Sequence, residues 1–358
     1  MLIKTRDCKV TVPALLFDRG FFVFDFDSRN GLTKFLLVEE AMLERSPFID
    51  IRFEPLAQGH FWVSSKELLA LEGRHDIQRP APVFIFHHAF VCSTLVARCL
   101  NQIDAFFSLK EPWILRRLAD HRRGLGHAAP GPAWGEMLSK YVMLLCRNFS
   151  SGRVPLIKAT NVANNLLADV LELMPERQIL YLYSDLESFL VSNLKKPAAT
   201  RDKMPALAKA FLADGDFAQR FPHLADLSRG SFLQVCAVIW LVSLYHLQKA
   251  VAGRATARVK TLDSRDLLHD LPASLTALSR FFGHAPDASE VQRMLDPQVI
   301  RTNAKDQSVP YGQQQRQMET RQIRSRHDQE LASAVAWITP VVRELGVVDF
   351  MQSHRLMT

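Results

Sequence analysis

Residues 83–100, VFIFHHAFVCSTLVARCL, constrain the fold more than any other stretch of the chain. The first four are apolar on both faces of a pleat, which is typical of a strand covered on both sides in a parallel sheet. A helix begins almost at once, because Ser93 or Thr94 is a good N-cap and apolar residues follow at helical spacing. Such a unit places backbone N–H groups at the carboxyl edge of a sheet, where open α/β folds bind phosphate. The stretch therefore predicts an anion-binding turn.

This turn does not carry the motif of nucleoside triphosphate binders. The Gly-x-x-x-x-Gly-Lys-Ser/Thr pattern needs a lysine just before the hydroxyl residue, and Cys92 occupies that position. No acidic strand end clearly marks a magnesium site, so a kinase is disfavoured. The five cysteines are scattered and lack C-x-x-C spacing, which indicates neither a zinc site nor a disulfide framework. We expect no bound metal.

The scattered cysteines and the N-terminal residues favour a reducing cytoplasm. The first ten residues, MLIKTRDCKV, meet charge too early for the apolar core of a signal peptide. The longest apolar run, residues 232–247, falls short of the roughly 20 residues that span a bilayer. We expect this run to be a buried helix, and we expect no membrane association.

The chain carries a formal net charge of +7 and has a pI of about 9.2, which favours acidic ligands. Ordinary surface charge explains this balance about as well, because cations and anions are interleaved nearly everywhere. The region richest in cations, residues 301–326, contains only Tyr311 as an aromatic residue. Single-stranded nucleic acid is bound on platforms of aromatic residues, so nucleic acid is a disfavoured partner.

The order of apolar strands and amphipathic helices predicts an α/β fold with a central, mainly parallel sheet and helices on both faces. At 358 residues the chain suits one large or two ordinary domains. We divide it into an N-terminal accessory region at 1–78, a core at 79–300, and a C-terminal lid loop and helix at 301–358. The first boundary rests on Pro-Ala-Pro at 80–82, which forces extended backbone.

The accessory region is expected to form a small layer of its own. Residues 10–16 and 21–26 are rich in β-branched and aromatic residues and flank an Asp-Arg-Gly turn, which indicates a hairpin. Residues 31–43 and 64–71 have patterns typical of helices, the second with a serine cap. No motif in this layer suggests a function.

Two charged residues follow predicted strands and therefore fall at the edge where an anion is expected. Glu111 follows the strand at 106–109 and precedes Pro112, which starts a helix. It is either an N-capping carboxylate or a general base. Lys158 follows the strand at 154–157 and is either a cation for an anionic group or a side chain that extends to solvent.

The stretch 83–100 resembles the phosphosulfate-binding segment of sulfotransferases in its strand, its Ser-Thr-Leu start at 93–95 and its apolar helix. The turn of that family usually reads Arg/Lys-Ser/Ala-Gly-Ser/Thr-Thr. Here Phe90 stands at the position of the cation and Cys92 at the position of the glycine. A missing cation weakens the expected grip on phosphosulfate, and a Cβ at the glycine position restricts the backbone.

Residues 184–192 resemble the segment Arg-Asp-Pro-Arg-Asp-apolar-apolar-x-Ser, with which the family holds the 3′-phosphate of its donor. Asp185 and Ser192 match this pattern, whereas Ser184 and Glu187 replace its two arginines. Asp185 also fits a plain helix cap, because it precedes an apolar helix. The candidate replacements for the missing charge are Lys158, Lys195, Lys196, Arg301 and Lys305.

Two further segments extend the resemblance over about 82–312. Residues 262–283 are similar to the strand, turn and terminal helix of the family, and residues 303–311 to the loop that covers its nucleotide. The resemblance implies a P-loop-type, three-layer sulfotransferase-like core. Arg301 and Lys305 would reach phosphate from the covering loop, although a solvated basic face explains them nearly as well. A helix is predicted after this loop until Pro340 interrupts it.

The resemblance implies transfer of a sulfuryl group from 3′-phosphoadenosine-5′-phosphosulfate, as co-substrate, to a hydroxyl or amine. The partners would be this donor and an unknown acceptor, which is a small molecule, a carbohydrate or a protein. The implied donor-binding residues are Ala89, Phe90, Val91, Cys92, Ser93, Thr94, Ser184, Asp185, Ser192, Arg301 and Lys305. Glu111 would take the acceptor proton, with His87 or His88 as alternatives. Lys158 would neutralise the transferred group. Because the usual cations are missing, a noncatalytic module that binds a nucleotide or phosphate on the same fold is the alternative.

Overall fold

The computed structural model describes residues 2–4, 9–72, 80–126, 131–146, 152–254, 256–301 and 313–357. Its first elements form a small layer, with strands β1 (Leu2–Lys4) and β2 (Lys9–Thr11), helix α1 (Val12–Phe17), strands β3 (Phe21–Asp27) and β4 (Leu32–Leu37), helix α2 (Glu40–Arg45), a 3₁₀ turn at Glu54–Leu56, strand β5 (Gly59–Ser64) and helix α3 (Ser65–Glu72). Strands β3, β4 and β5 form an antiparallel sheet in that order, and β1 pairs with β2. We call residues 2–72 the N-terminal layer.

The predicted hairpin of residues 10–16 with 21–26 is wrong, because β3 pairs with β4 instead. The turn between these two strands is stabilised by Asp27, whose carboxylate accepts hydrogen bonds from the backbone N–H groups of Arg29 and Asn30. Helix α1 takes up most of the segment that was expected to be the first strand.

The helix predicted at 31–43 is wrong over 32–37, which form the central strand β4. Leucine and lysine favour helices, but pairing with strands on both sides overrides this weak preference. Only Glu40–Arg45 is helical in this region. The helix predicted at 64–71 is confirmed as α3, and the Ser64 hydroxyl accepts a hydrogen bond from the backbone N–H of Glu67.

The core alternates strands and helices. It comprises β6 (Val83–His87), α4 (Ser93–Leu100), β7 (Phe106–Lys110), α5 (Trp113–Gly124), α6 (Pro132–Leu145), β8 (Val154–Lys158), a 3₁₀ helix at Asn161–Leu166, α7 (Leu167–Leu173), β9 (Ile179–Tyr183), α8 (Leu186–Leu194), α9 (Ala198–Arg201), α10 (Met204–Leu212), α11 (Phe217–Arg220), α12 (Pro222–Ala225), α13 (Phe232–Val251), a 3₁₀ turn at Thr256–Arg258, β10 (Val259–Asp263), α14 (Ser264–His269), α15 (Leu271–Phe281), α16 (Ala288–Met294) and α17 (Pro297–Ile300). Strands β6 to β10 form one parallel sheet in the order β10-β9-β6-β8-β7. The predicted α/β class is confirmed.

Helices cover both faces of this sheet, as the apolar strands predict. Successive side chains of a strand point to opposite faces, so Val83 and Ile85 of β6 join one apolar cluster and Phe84 and Phe86 the other. The first cluster includes residues of α4 and of α14 to α17. The second includes residues of α5 to α8, α10 and α13, together with the N-terminal layer. The N-terminal layer therefore shares an apolar core with one face of the sheet.

Helix α13 is the long apolar helix expected at 232–247. It begins with a capping box, in which Ser231 and Gln234 each bond the other's backbone N–H. In the described residues it is the single helix long and apolar enough to cross a membrane, and a bent pair near the C-terminus passes the same test when taken together. Most of α13 is buried inside the protein, and core helices also pass such a test.

The C-terminal region contains α18 (Gln313–Arg326), α19 (Asp328–Leu345) and α20 (Val347–Ser353). The single helix expected here is thus divided near His327. Pro340 lies inside α19 and does not end it, so the expected interruption is wrong. Packing explains this, because Ile338, Val341 and Leu345 on both sides of the proline are buried in the core. The predicted covering loop at 303–311 lies outside the described residues.

Buried histidines make the stability of this fold depend on pH. Burial lowers the pKa of His246 from 6.5 to about 4, with a smaller opposing effect of Asp216 and a reinforcing one of Arg123. Below about pH 6.5 the unfolded chain therefore binds more protons than the folded one, and stability falls as the pH drops toward 4. We expect His246→Gln to reduce the slope of the unfolding free energy against pH by up to about 1.4 kcal/mol per pH unit in this window.

Urea denaturation between pH 4 and 6.5 measures this slope. His223→Gln, the same substitution at an exposed histidine, is the matched control. A uniform loss of stability in His246→Gln, with the slope of the parent, would contradict the assignment.

Candidate functional site

Strand β6 lies between β8 and β9, so the turn after it emerges where the connections leave toward opposite sides of the sheet. Ligands bind at this point in open α/β sheets. A cavity of about 220 Å³ opens here, which we call the edge cavity. It is lined by Phe48, Arg52, His87, Ala89, Phe90, Val91, Cys92, Ser93, Thr94, Glu111 and Asn161. The structure thus brings together the predicted turn, one of the two histidines and the predicted carboxylate.

Three residues of the edge cavity have strained backbone conformations. Phe90, Cys92 and Glu111 have φ values of 70°, 61° and 57°, and in the described parts of the chain they are the non-glycine residues with positive φ. The left-handed region costs an L-residue about 1–2 kcal/mol, and such conformations cluster at functional sites. Cys92 therefore keeps a glycine-like backbone conformation despite its Cβ. The strain marks the edge cavity as the candidate site.

Helix α4 begins at Ser93, and Cys92 occupies the N-cap position without capping the helix through its side chain. The predicted cap by Ser93 or Thr94 is wrong, because both residues already belong to the first helical turn. N–H groups of a first turn have no partner within the helix. They face the position where an anion is expected, with the positive end of the helix dipole behind them.

Glu111 and Lys158 form an ion pair at the edge cavity. The Lys158 side chain is fully buried, and the ring centre of Phe48 lies 5.7 Å from its ammonium. The backbone N–H of Glu111 donates to the Lys158 carbonyl at 2.8 Å, so the two residues are joined twice. The N-cap of α5 is Pro112. A buried ammonium needs a charged partner, and this need holds the Glu111 carboxylate at the cavity wall.

The two histidines at the end of β6 have different surroundings. His88 accepts a hydrogen bond at Nε2 from the Ser184 N–H at 2.8 Å, and its Nδ1–H donates to the Ala89 carbonyl at 2.9 Å. Burial lowers its pKa to about 4, so it is a neutral link between two loops. His87 donates from Nδ1 to the His88 carbonyl at 2.8 Å. Its buried Nε2 has no hydrogen-bond partner among the described residues, and the His87 residue lines the edge cavity.

The pKa of His87 is lowered to about 3, first by burial and then by the positive charge of Lys158. The imidazole is therefore neutral at ordinary pH, and its Nε2 is an acceptor for an O–H or N–H group.

The segment expected to hold a 3′-phosphate is engaged in the protein's own contacts. Ser184 is buried. The Asp185 carboxylate caps α8 by accepting from the Ser188 N–H at 2.9 Å, and it pairs with Arg265 at 3.3 Å. Ser192 is half-buried on α8 and is not part of the edge cavity lining. The structure therefore leaves these predicted residues beside the cavity and not in it.

Lys196 is the candidate replacement cation that reaches the turn. Its ammonium lies 4.4 Å from the centre of the Phe90 ring, within cation–π range, and burial lowers its pKa. Lys195 instead donates a hydrogen bond of 2.9 Å to α18. Arg301 is exposed at the end of α17, away from the lining of the edge cavity. Lys305 lies outside the described residues.

Sequence reasoning missed Phe48 and Arg52, which the N-terminal layer contributes to the edge cavity. The guanidinium carbon of Arg52 lies 4.1 Å from the centre of the Phe48 ring, and its Nε donates to the Asp50 carboxylate at 2.9 Å. No motif surrounds these residues, and their position depends on how the layer docks on the core. No sequence signal could have found them.

Backbone hydrogen bonds dock this part of the N-terminal layer. The N–H of Ile49 donates to the Lys110 carbonyl at 2.7 Å, and the Ile49 carbonyl accepts from the Trp113 N–H at 2.9 Å. These two bonds flank Glu111 on both sides. They help to hold its left-handed backbone, so the N-terminal layer takes part in aiming the carboxylate.

The described residues contain no group of three or more His, Cys, Asp and Glu side chains that could hold a metal ion. The edge cavity offers backbone N–H groups, hydroxyls, a thiol, an imidazole and an ion-paired carboxylate, with cations nearby.

The fold and the site define an open parallel α/β protein in which a strained turn joins the central strand β6 to the start of helix α4. No protein-family model matches the sequence, and no curated protein does. Solved structures do match. The sulfotransferase domain from the curacin biosynthetic pathway is 16% identical, with a TM-score of 0.41, over 70% of this chain and 99% of that one.

Two further similar structures are sulfotransferases. The one from Alicyclobacillus acidocaldarius is 14% identical, with a TM-score of 0.37, over 74% of this chain and 96% of that one. STF9 from Mycobacterium avium is 11% identical, with a TM-score of 0.40, over 75% of this chain and 82% of that one. The likeness is one of a sulfotransferase-like fold, and the activities in these names are those of the proteins that carry them.

The strain at Cys92 is testable by comparing glycine and alanine at this position. Alanine keeps the Cβ and its left-handed penalty, whereas glycine adopts this region freely. We expect Cys92→Gly to be more stable than Cys92→Ala by about 1 kcal/mol in urea denaturation. Cys99, in the last turn of α4, is the control, because glycine in a helix should be less stable than alanine by about 1 kcal/mol. The same order at both positions would show that Cys92 is not strained.

Proposed function

We propose that this protein is a sulfotransferase that moves a sulfuryl group from 3′-phosphoadenosine-5′-phosphosulfate to a hydroxyl or amine. One observation carries the proposal. The edge cavity holds the turn at the N-terminus of helix α4 and, on its wall, a carboxylate paired with a buried lysine. Transfer of this kind needs a site that binds the donor anion and a base beside it that accepts the acceptor proton.

The residues of the edge cavity fit the phosphosulfate end of this donor. The first-turn N–H groups of α4 and the hydroxyls of Ser93 and Thr94 are hydrogen-bond donors of the kind that hold anionic oxygens. The cavity suits a phosphosulfate group and is too small for a whole nucleotide. The adenosine would extend toward α8, past Phe90 and Lys196, and Ser192 would then lie on the side of the 3′-phosphate.

The proposed step is an in-line displacement at sulfur. The acceptor oxygen or nitrogen forms a bond to sulfur while the bond from sulfur to the bridging phosphosulfate oxygen breaks. Glu111 takes the acceptor proton, and adenosine 3′,5′-bisphosphate leaves with the electron pair of the broken bond. Lys158 supports the step through its positive charge, which is effective because the side chain is buried.

His87 has a positioning role in this proposal. Its neutral Nε2 accepts a hydrogen bond from the acceptor and orients it. With a pKa of about 3 it is a poor proton acceptor at ordinary pH, so Glu111 is the stronger candidate for the base.

A specific observation favours a second candidate, a noncatalytic phosphate-binding module on the same fold. Glu187 stands where the family has an arginine and is ion-paired with Arg324 of α18. Asp185 is paired with Arg265. The place expected for a 3′-phosphate is therefore occupied by internal ion pairs, which would disfavour that phosphate while leaving a phosphate at the turn. In either case the scattered cysteines, without C-x-x-C spacing, suit a reducing cytoplasm.

Ligand-induced stabilisation separates the two candidates. A ligand that binds only the folded state raises the melting temperature by mass action. We expect adenosine 3′,5′-bisphosphate at millimolar concentration to raise it more than ATP, GTP or inorganic phosphate. Equal shifts with phosphate and with the bisphosphate would favour the noncatalytic module, and a shift with ATP alone would overturn the donor assignment.

Glu111→Gln tests the chemistry. Glutamine keeps the shape of the side chain but cannot take a proton, so turnover should fall by roughly 10²–10⁴ with little change in nucleotide affinity. The measurement is transfer of labelled sulfate from the donor into a cell extract. Equal transfer by parent and variant would move the role of base to His87.

This variant also leaves the buried Lys158 ammonium without its charged partner, which can cost about 3–5 kcal/mol. The double variant Glu111→Gln/Lys158→Met removes that charge as well. It should recover stability in urea denaturation without recovering turnover, which separates lost folding from lost chemistry.

A further inference from the structure

We propose that Arg52 of the N-terminal layer is the anion-binding cation of the edge cavity, in place of the cation that Phe90 displaces from the turn. The inference rests on the proposed function for the identity of the anion, a phosphosulfate group. It gives the N-terminal layer a direct part in ligand binding, because this layer supplies a residue that the core lacks.

The position of Arg52 supports this role. Arg52 lines the edge cavity together with the turn at 89–94 and with Glu111. Its charge is close enough to Glu111 for the carboxylate to help raise the pKa of the guanidinium, after the larger effect of Asp50. A ligand held by the α4 N-terminus therefore lies within the field of this cation.

The Arg52 guanidinium is held in place before any ligand binds. The guanidinium carbon lies 4.1 Å from the centre of the Phe48 ring, which fixes the plane of the group. Phe48 in turn lies against the buried Lys158. The neighbouring Ile49 is bonded through its backbone to both Lys110 and Trp113. Arg52 is thus carried by a short segment that is anchored to the core beside the catalytic carboxylate.

The Arg52 guanidinium uses only part of its hydrogen-bonding capacity within the described residues. Asp50 accepts from its Nε at 2.9 Å and from its Nη2, and the Arg52 side chain remains 59% exposed. One edge of the planar group is therefore engaged, and Nη1 donates no hydrogen bond among the described residues. A guanidinium has five N–H donors and binds phosphate or sulfate oxygens in pairs. The arrangement suits an anion arriving from the cavity side.

The charges at the edge cavity also favour Arg52 as the anion-binding cation. The Glu111 carboxylate in the same cavity disfavours an anion, and the neutral His87 imidazole supplies no positive charge. Lys158 is committed to Glu111. Lys196 contacts the Phe90 ring but does not line the cavity. Among the described residues, Arg52 is the cation that lines it.

The test uses two substitutions with opposite expected effects. Arg52→Gln removes the cation and should weaken binding of adenosine 3′,5′-bisphosphate by roughly tenfold to a hundredfold. Asp50→Asn keeps the hydrogen-bond acceptor but removes the competing negative charge, so it should tighten binding several-fold. A merely structural role predicts weaker binding in both variants, because both break the same ion pair.

Titration calorimetry of the full-length chain at several salt concentrations measures these affinities. Arg52→Gln should also reduce the dependence of the dissociation constant on salt, which a packing defect would not do. Arg29→Gln is the matched control, because it removes one exposed arginine from the same layer at a turn that does not line the edge cavity. It should change neither the affinity nor the salt dependence.

Inorganic pyrophosphate is the second probe, and it separates this inference from the proposed function. Equal nucleotide affinity in the parent and Arg52→Gln would overturn the role of Arg52 while leaving the donor assignment intact. Arg52-dependent binding of pyrophosphate without binding of the nucleotide would support Arg52 and overturn the donor. Binding of neither probe by the parent would overturn both.

Discussion

The candidate site depends on one buried charge. The Lys158 ammonium lies at the end of a central strand with no exposed surface, and a charge in such a place is tolerated only with a partner. Glu111 is that partner, and it meets the requirement by adopting a left-handed backbone that few glutamates adopt. The position of the carboxylate, and with it the geometry of any proton transfer, follows from the need to neutralise Lys158.

The same requirement explains why the N-terminal layer is joined to the core beside Glu111. A left-handed residue between a strand and a helix persists only where its surroundings determine it. The two backbone bonds of Ile49 supply that determination, one before Glu111 and one after it. Phe48 excludes water from Lys158, which strengthens the ion pair. The geometry of the site therefore depends on the docking of the N-terminal layer. The apolar cluster that the layer shares with the core supports this docking.

The sequence was sufficient to predict the architecture and part of the site. A continuous apolar strand followed by a helix start predicts a parallel sheet, and charged residues at strand ends fall at its carboxyl edge because parallel strands end together. Glu111, Lys158 and the turn at 89–94 were located by this rule. Local patterns failed where pairing decides the structure, as in β4, whose leucines and lysine suit either element.

No rule of this kind predicts the position of Arg52 at the site. It stands in an irregular segment between α2 and β5, and only the docking of the layer brings it to the core. His87 and His88 show a related difficulty, because adjacent and identical side chains have opposite surroundings. The Nε2 of His88 bonds the backbone of Ser184, which follows the neighbouring strand β9 and which no spacing in the sequence reveals. Tertiary contacts distinguish an acceptor at the cavity from a structural link.

Phe90 and Cys92 depart from the sulfotransferase pattern, and the strain in their turn is relevant to whether the turn has lost its ligand. Phe90 and Cys92 each hold a conformation that costs about 1–2 kcal/mol, a noticeable part of the 5–15 kcal/mol that stabilises an ordinary protein. A turn without a ligand could relax, or could carry glycine at no such cost. The turn instead keeps its strained shape before the N-terminus of α4, while cations of two other segments lie nearby, Lys196 at the Phe90 ring and Arg52 in the lining of the edge cavity. Shape and charge, which a single motif usually combines, are here supplied by separate parts of the chain.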